Sequence, residues 1–444
     1  MVSIIKTKGS SKAFSIYGGL ILSRELLGKT RISSKLEGLL PKTRRNIFSC
    51  QHKFEALLLG FQSGSEHLED WDALNQDKGF EAVAGRTYCS KSLGDYLRSF
   101  TGLGLFGMQG KLIDLSFELR SQVSPNSRHF ILDIDSTSHA QHGKKMEGVE
   151  FCYKKFRALD SIVAFDELGF QYWHDVRPGS TYTSNGSSQI IHEIFSRIPT
   201  GNREQRRIVR GDSGFSNVEF YNACAVKGAG FVCAAKRTDK FKERVARIKN
   251  WESQNPEKKG RILATGNREC EIGHTSYYSK GFSKPLRLVV IRAEKAEFEG
   301  NLFKDHKEYD YFGFVTNMGA HEFSSVDLIK LYRGRGNAEN FIKEQKFGFD
   351  LKHYPCLKLT ANKAFGLIAA FAYTLMRFIS LSAPSKKKTR SGIKTINHFA
   401  KKIRRRWLLI PVQVICHAGS VTFRFNHDHH REVIRWKTKL KICS

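Results

Sequence analysis

One stretch, LYRGRGNAENFIKEQKFGFD at residues 331–350, collects side chains that can bind phosphate groups and metal ions. Read as a helix, it places Tyr332, Arg335, Glu339 and Lys346 within a sector about 60° wide. A hydroxyl group and two cations bind phosphate oxygens, and a carboxylate binds a divalent metal ion. A core-facing helix would present apolar residues there, so this polar face predicts contact with a polyanion such as a nucleic-acid backbone.

Two further carboxylates follow apolar strands, where α/β enzymes commonly place ligands. Asp135 ends the run FILDID, and Asp212 follows RRIVRG. Either one alone is more commonly a turn or cap residue. Together with Glu339 they would form an oxygen-only site suited to Mg²⁺ or Mn²⁺, and two such ions support phosphodiester chemistry. Asp133 shares a strand face with Asp135 by period-two alternation, so either residue could be the first ligand.

The first half of the chain supplies the elements that must position these acids. Residues 1–125 read as mostly helical: KFEALLLGFQSG has helical apolar spacing, and Ser90 is the predicted N-cap of SKSLGDYLRSF. This region would be either a DNA-binding module or a packing subdomain. Residues 126–236 alternate short strands and helices in the order βββαβαβ, which predicts the first part of an α/β sheet.

The second half interrupts and then completes that sheet. Residues 237–308 are predicted to form a mostly β insertion, which includes the charged stretch NWESQNPEKKG. Residues 309–384 begin with the strand YDYFGFVTN and continue with helices that carry the third acid. Residues 385–444 form a basic C-terminal region with SKKKTR as its linker.

The overall composition points to a globular protein with a polyanionic partner. The 444 residues include 73 Lys and Arg against 43 Asp and Glu, a net charge of +30. This excess predicts salt-sensitive attraction to nucleic acid. Nine cysteines without a CxxC pair predict a reducing compartment rather than a disulfide framework. The apolar run at 364–376 is too short to span a bilayer, so it predicts a core helix and no membrane role.

The spacing Tyr332, two residues, Arg335, three residues, Glu339, six residues, Lys346 resembles the signature of the insertion-sequence-four-like DDE transposases. Two earlier blocks, DIDST and RGDSGFSNVEFYNAC, resemble the first and second acid blocks of that family. Among its branches, the one named thirteen-eighty is the most similar. The likeness extends from about Lys53 to Phe425.

The resemblance implies an RNase H-like α/β core with Asp135, Asp212 and Glu339 as the metal-binding catalytic triad. Asp135 is preferred over Asp133 because the family's first block reads Asp, any residue, Thr, and Thr137 fits. It further implies two Mg²⁺ ions, which Mn²⁺ can replace, and phosphate binding by the other three signature residues. The implied partners are double-stranded DNA, as terminal inverted repeats and as target, and a second copy of the chain in a synaptic homodimer. The implied location is the bacterial cytoplasm, associated with the nucleoid.

Two alternatives share these features: a catalytically inactive, transposase-derived DNA-binding protein, and a stand-alone RNase H-like nuclease that cuts without joining.

Several weaker signals in the sequence also have two interpretations. Trp251 could stack on a flipped base or pack in a hairpin, and the basic run KKIRRRW at 401–407 could follow the DNA backbone or form a solvated helix face. His139 and His142 could contact a phosphate or a metal, or be ordinary loop residues.

Overall fold

The N-terminal part of the chain is largely helical in the computed structural model, which describes residues 12–42, 47–143, 145–199, 205–254, 270–294, 309–383, 388–389, 392–393 and 399–441. After a short strand, β1 (Phe14–Ser15), come the helices α1 (Ile21–Thr30), α2 (Ile32–Lys35), α3 (Ile47–Ser63), α4 (Asp70–Leu74), α5 (Lys78–Ala84), α6 (Ser90–Arg98) and α7 (Gly102–Val123). The helices predicted at KFEALLLGFQSG and SKSLGDYLRSF are α3 and α6. The predicted N-cap is wrong: Cys89 occupies the N-cap position without a side-chain cap hydrogen bond, and Ser90 is the first helical residue, whose N–H donates to Asp72 Oδ1 at 2.8 Å.

A mixed sheet occupies the centre of the fold. Its strands in the described residues are β2 (His129–Ala140), β3 (Glu150–Phe151), β4 (Arg157–Asp166), β5 (Gln171–Pro178), β6 (Arg206–Gly211), β7 (Gly230–Ala234), β8 (Glu252–Gln254), β9 (Cys270–Tyr277), β10 (Leu286–Glu294) and β11 (Tyr309–Thr316). They are ordered β3-β4-β2-β6-β7-β11-β10-β9-β8, and β5 also pairs with β4. Strand β6 is parallel to β2 and β7, and the other pairings are antiparallel.

Helices cover both faces of this sheet. The remaining core helices are α8 (Ser187–Ser196), α9 (Val218–Val226), α10 (Asp239–Ala246), α11 (Ser325–Arg333), α12 (Gly336–Gly348) and α13 (Leu359–Ser382). On one face, Phe130 of β2 packs against Phe117 of α7 and Phe195 of α8. On the other face, α11 packs over the sheet, and Phe341 of α12 contacts Phe165 of β4. Strand alternation therefore directs the even residues of β2 toward α7 and α8 and the odd ones toward α11 and α12.

The element order predicted for the core is confirmed, and the mixed α/β class with it. Strands β2, β4 and β5, then α8, β6, α9 and β7, follow the predicted order βββαβαβ, and the two-residue strand β3 is an addition. The predicted insertion contains α10 and β8 to β10, and these strands extend the central sheet through β11. Its residues 255–269 and 295–308, and most of the predicted linker SKKKTR, lie outside the described residues.

Helix α13 is the core helix that the apolar run predicts. It is long and apolar enough to cross a membrane by length and composition, but 94% of its most apolar window is buried inside the protein. It contacts β5, α7 and α3. Since its surface is already covered by protein, its apolar composition is explained by core packing.

The C-terminal residues 399–441 fold against the N-terminal helices. They contain α14 (Ala400–Ile403), a π-helical turn (Arg404–Leu408), β14 (Val412–His417), β15 (Ser420–Arg424) and α15 (His427–Lys439). A further two-stranded pair consists of β12 (Lys388–Thr389) and β13 (Gly392–Ile393). Strand β14 pairs with β1, and the buried Arg404 donates hydrogen bonds to the carbonyls of Phe61 and Gln62. The structure thus does not confirm a separate basic tail, and Arg404 of KKIRRRW has a structural role.

Candidate active site

The parallel pairing of β2 with β6 brings the first two predicted acids together. Asp133 pairs with Arg210 in this register, so two residues further along each strand Asp135 comes opposite Asp212. Neighbouring strands lie about 4.8 Å apart, so the two carboxylates are close together. Asp212 directly follows β6 as predicted, whereas Asp135 lies within β2, which continues to Ala140, so the prediction that Asp135 ends its strand is wrong. The Asp212 side chain also accepts a hydrogen bond from the Gly214 N–H at 2.8 Å, which fixes the turn after β6.

Asp133 is occupied by a buried ion pair. Its carboxylate is completely buried and binds Arg210 through two hydrogen bonds, Nε to Oδ1 and Nη2 to Oδ2, both of 2.6 Å. The same guanidinium donates through Nη1 to the Leu331 carbonyl at the end of α11, at 2.6 Å. The pair therefore joins β2, β6 and α11, and both Asp133 oxygens already have a partner. This geometry favours Asp135 over Asp133 as a ligand.

Asp135 lies in a nearly closed environment with one guanidinium as its partner. Its Oδ2 is 3.1 Å from Arg335 Nη1, and its Oδ1 accepts the Ser136 N–H at 2.9 Å. Burial raises the pKa of Asp135 to about 6, and repulsion by Asp212 and Glu339 adds to this rise while Arg335 opposes it. Asp212 and Glu339 are thus near enough to Asp135 to repel its charge, which is the situation that a bound cation would relieve.

The predicted polar face of residues 331–350 is divided between two helices. Helix α11 ends at Arg333, and α12 begins at Gly336. Gly334 and Arg335 between them keep right-handed helical angles, with the tighter i to i+3 hydrogen bond from the Arg335 N–H to the Tyr332 carbonyl. The chain thus continues in nearly the same direction, and Tyr332, Arg335 and Glu339 remain close to Asp135.

Arg335 stands at the centre of this group. Its Nη1 is 3.9 Å from Glu339 Oε1 as well as 3.1 Å from Asp135 Oδ2, and the Tyr332 side chain lies close enough to interact with it electrostatically. Although burial alone would lower the pKa of Arg335, Asp135, Tyr332 and Asp212 raise it. The Glu339 side chain is 71% exposed. The third acid is therefore accessible from solvent, whereas the first lies beneath Arg335.

Lys346 extends the site along β2. Its ammonium donates to the Ser138 carbonyl at 2.8 Å. Burial and the nearby Lys154 lower the pKa of Lys346 to about 8, against the attraction of Asp160 and Asp135. The ammonium is therefore charged at neutral pH, and losing its proton costs less than for an exposed lysine.

The donor chemistry of these residues fits a hard divalent cation. Three carboxylates within electrostatic reach supply oxygen ligands only, as Mg²⁺ and Mn²⁺ prefer. In the described part of the chain, however, no three His, Cys, Asp or Glu side chains are grouped closely enough to hold a metal ion. The Arg335 guanidinium lies between Asp135 and Glu339 and balances their charge. Metal binding at these acids would therefore require Arg335 to move away from Asp135.

One important residue, Arg210, was missed in the sequence. It precedes Asp212 by two positions in RRIVRGD, so period-two alternation would have placed it on the same face as the acids. Its partner could not be read from the pattern. Only the parallel register of β2 and β6 shows that it binds Asp133.

The weaker sequence signals have mostly structural surroundings. His139 is buried on β2, where burial lowers its pKa well below the usual value, whereas His142 is exposed in the following loop. The Trp251 ring packs against the Arg292 guanidinium at 4.2 Å and lies near Tyr311. These contacts account for Trp251 through packing. His139 lies on a strand rather than in the predicted loop, its ring packs edge-on against Tyr354, and neither of its buried ring nitrogens has a hydrogen-bond partner among the described residues.

The opposite face of α12 provides a stability test that is independent of DNA. Glu344 accepts the Ala400 N–H at 2.5 Å, and burial raises its pKa to about 7. The folded state therefore holds this proton more tightly than the unfolded state does, so stability falls as pH rises from about 4.5 to 7. We expect Glu344→Gln, which keeps the acceptor oxygen, to stabilise the protein by about 2 kcal/mol at pH 8 and hardly at all near pH 4.5. Urea unfolding at the two pH values measures this, with Glu81→Gln, at a side chain that is 45% exposed, as a control that should show no such difference.

Comparison with known proteins identifies the family of this chain. Residues 4–442 match the family described as transposase DDE domain group 1. No curated protein matches the sequence significantly. Among solved structures, the chain is similar to piggyBac transposase in a synaptic complex with hairpin DNA, with a TM-score of 0.40 and 11% identity over 90% of this chain and 82% of that chain. Because the family match covers nearly the whole sequence, this protein belongs to the transposases with a group 1 DDE domain.

Proposed function

We propose that this transposase moves an insertion sequence by a cut-and-paste reaction, with Asp135, Asp212 and Glu339 as its catalytic acids. The observation that carries the proposal is the register of β2 and β6, which sets Asp135 beside Asp212 under the helix that bears Glu339. The substrates would be the terminal inverted repeats of the element and a target duplex. The net charge of +30 supports a DNA partner.

An RNase H-like core is part of this proposal. Strands β5, β4 and β2 form an antiparallel set, followed by β6 and β7 parallel to β2. This arrangement supports the fold that the sequence resemblance implies. Within the family, the signature formed by Tyr332, Arg335, Glu339 and Lys346 favours the insertion-sequence-four-like group and its branch named thirteen-eighty.

The chemistry would divide between the acids and the cations of the site. Asp135, Asp212 and Glu339 would hold two Mg²⁺ ions, or Mn²⁺ in their place. When bound, such ions activate the attacking hydroxyl group and stabilise the leaving oxygen of a phosphodiester. Arg335, with its planar fork of donors, is suited to bind a phosphate once it leaves Asp135.

Other parts of the molecule have proposed roles that follow from the family. Residues 126–236 and 309–384 would form the catalytic core, interrupted by the insertion at 237–308. The helical region 1–125 and the C-terminal region 385–444 would recognise the DNA ends. We also propose a homodimer that synapses two ends, acting in the bacterial cytoplasm at the nucleoid.

Cleavage and strand transfer on a duplex carrying the element's own end test the function directly. We expect nicking and joining with Mg²⁺ and neither with EDTA. Binding without metal-dependent cleavage would instead identify a catalytically inactive DNA-binding protein, and cleavage without strand transfer a stand-alone RNase H-like nuclease. The presence of all three acids favours the transposase over the first alternative.

Lys346 is expected to contribute one phosphate contact. Lys346→Gln should weaken binding to all DNA sequences alike and reduce the slope of log affinity against log salt by about 1. The pKa of Lys346 is about 8, so its charge is present at pH 7 and mostly lost at pH 9. The difference in salt slope between Lys346→Gln and the wild type should therefore be smaller at pH 9 than at pH 7. Fluorescence anisotropy at several salt concentrations measures the slope. Lys346→Arg should show the wild-type slope at pH 7 and keep that slope at pH 9, where the wild type loses part of it, because arginine stays charged. An equal loss in the Arg and Gln variants at pH 7 would contradict a charge contact.

A further inference from the structure

A hairpin beside the active site exposes three aromatic rings to solvent. It is formed by β3, the start of β4 and the turn between them, with the sequence EFCYKKFR at residues 150–157. Phe151 is 65% exposed, Tyr153 78% and Phe156 36%. Exposed rings grouped this closely cost solvation free energy in an isolated protein, and such patches commonly mark a binding surface.

The turn of this hairpin is well defined. The Cys152 N–H donates to the Phe156 carbonyl at 3.0 Å, and the Lys155 N–H donates to the Cys152 carbonyl at 2.9 Å. Lys155 occupies the left-handed region with φ of 63°, where glycine is the usual residue. A lysine there costs about 1 kcal/mol of backbone free energy. The sequence thus keeps a cation at the tip, between two rings, despite that cost.

The base of the hairpin is held by neighbouring elements. The Gly179 N–H after β5 donates to the Gly148 carbonyl at 2.9 Å, and the Glu147 N–H donates to the Leu357 carbonyl at 2.8 Å. Glu147 also pairs with Lys358 just before α13. The rings at the tip are therefore presented by a fixed support, which lowers the entropy lost when a ligand binds.

The hairpin lies on the side of the molecule that carries the proposed phosphate-binding residues. Strand β3 extends the sheet next to β4, at the carboxyl end of β2. The charge of Lys154 is close enough to Lys346 to contribute to its lowered pKa. A DNA strand leaving Lys346 would thus meet the hairpin next.

The charges and aromatic rings of this hairpin favour one class of binding partner. Residues 151–157 contain three cations and no acid. Lys154 lies over the Tyr153 ring at 5.4 Å, and the Arg157 guanidinium lies over the Phe151 ring at 5.9 Å. Alternating rings and cations match a strand with unpaired bases, because the rings stack on bases and the cations neutralise the backbone. A fully paired duplex offers no base face for the rings.

We propose that the 150–157 hairpin binds unpaired nucleotides of the DNA next to the reacting phosphate, with Tyr153 and Phe156 stacking on bases and Lys154 and Lys155 contacting the backbone. This inference rests on the proposed function, since it assumes that DNA occupies the site. Base stacking of this kind tolerates any sequence, so the element's end sequence is not needed to test it.

The test compares the affinity of the full chain, without metal, for two probes. One is a blunt duplex of about 30 base pairs, and the other is the same duplex with a tail of about six unpaired thymidines. We expect the wild type to prefer the tailed duplex. Tyr153→Ala and Phe156→Ala should each weaken tailed binding by about 5- to 150-fold and leave blunt binding unchanged. A 2-aminopurine in the tail should be quenched by the wild type and by Tyr153→Phe, but much less by Tyr153→Ala.

Matched variants separate this role from general effects. Phe14 on β1 is 64% exposed, between the values for Phe156 and Tyr153, so Phe14→Ala removes an exposed ring away from the hairpin and should change neither affinity. Lys155→Gly relieves the backbone strain at the left-handed position and removes the positive charge. It should therefore keep or increase the free energy of unfolding while weakening binding to the tailed duplex.

The possible failures are distinguishable. If the wild type binds neither duplex at low salt, the proposed DNA function fails and the hairpin inference with it. If the wild type binds both duplexes equally, or Tyr153→Ala keeps the tail preference and the quenching, only the hairpin inference is overturned. A Tyr153→Ala variant that changes self-association but not tailed binding would likewise overturn it, because it would assign the rings to a second copy of the chain.

Discussion

Replacing Glu339 with glutamine is expected to abolish metal-dependent DNA cleavage and strand transfer while leaving DNA binding intact. The substitution keeps the size of the side chain and removes one negative charge from the proposed metal site. A ligand carboxylate contributes several kcal/mol to stabilising the charge of a phosphodiester transition state. A loss of about 4 kcal/mol corresponds to a rate reduction of about a thousandfold.

The surroundings of Glu339 allow an effect of this variant on the reaction to be separated from an effect on folding. Its side chain is 71% exposed, and its nearest partner is Arg335 at 3.9 Å. The fold therefore loses no buried contact, and the free energy of unfolding should stay close to that of wild type. A rate loss at unchanged stability would report on the reaction itself.

Single-turnover cleavage with Mg²⁺, with anisotropy for DNA affinity, measures the expected effect. Glu81→Gln removes a carboxylate from α5, outside the site, whose side chain is 45% exposed and also paired with a cation, Lys78, and it should react like wild type. Cleavage by Glu339→Gln at the wild-type rate would remove Glu339 from the catalytic triad. If the variant also failed to bind DNA, the residue would belong to the binding surface instead.

Much of the catalytic core could be predicted from local pattern because its strands and helices have strong periodicity. The apolar residues within FILDID and RRIVRG favour strands, and the structure has both runs within strands, β2 and β6, although β2 continues past Asp135 to Ala140. To predict that Asp135 and Asp212 lie close together, one must also know the parallel register of these two strands. Register depends on long-range pairing, so local pattern indicates only that two strand ends could meet.

Other features depended on contacts between distant parts of the chain. The buried partners of Arg404 are the carbonyls of Phe61 and Gln62, more than three hundred residues earlier, and nothing in KKIRRRW distinguishes this arginine from its exposed neighbours. The contact of Arg335 with Asp135 is also nonlocal. The sequence predicted only that both residues belong to one site, whereas the structure shows that they form an ion pair. The proposed domain boundaries and site roles remain predictions.

Removing the Arg210 side chain is expected to cause the largest loss of stability among single changes near the site. Arg210→Ala would leave the completely buried Asp133 carboxylate without its partner and would free the Leu331 carbonyl at the end of α11. Breaking a buried ion pair from one side costs about 3–5 kcal/mol because the remaining charge is uncompensated. The urea midpoint should fall by the corresponding amount at an unchanged slope.

Two matched variants identify the source of that loss. The exposed pair of Arg431 with Asp428 has side chains that are 75% and 85% accessible, so Arg431→Ala should hardly change the midpoint. The double variant Asp133→Leu with Arg210→Met replaces the pair with apolar side chains of similar size and should recover much of the stability. Equal losses in the single and double variants would assign the cost to packing rather than to the unpaired charge.

The same variants also decide between the two candidate first acids. If Asp133 serves only to hold Arg210, then a folded double variant keeps Asp135 beside Asp212 and should retain measurable metal-dependent cleavage. If Asp133 were the metal ligand, the double variant would be inactive however stable it is, and Asp135→Asn would be active. A catalytic carboxylate needs an oxygen free to bind the metal, whereas both Asp133 oxygens bind Arg210, so the first outcome is the one that the geometry predicts.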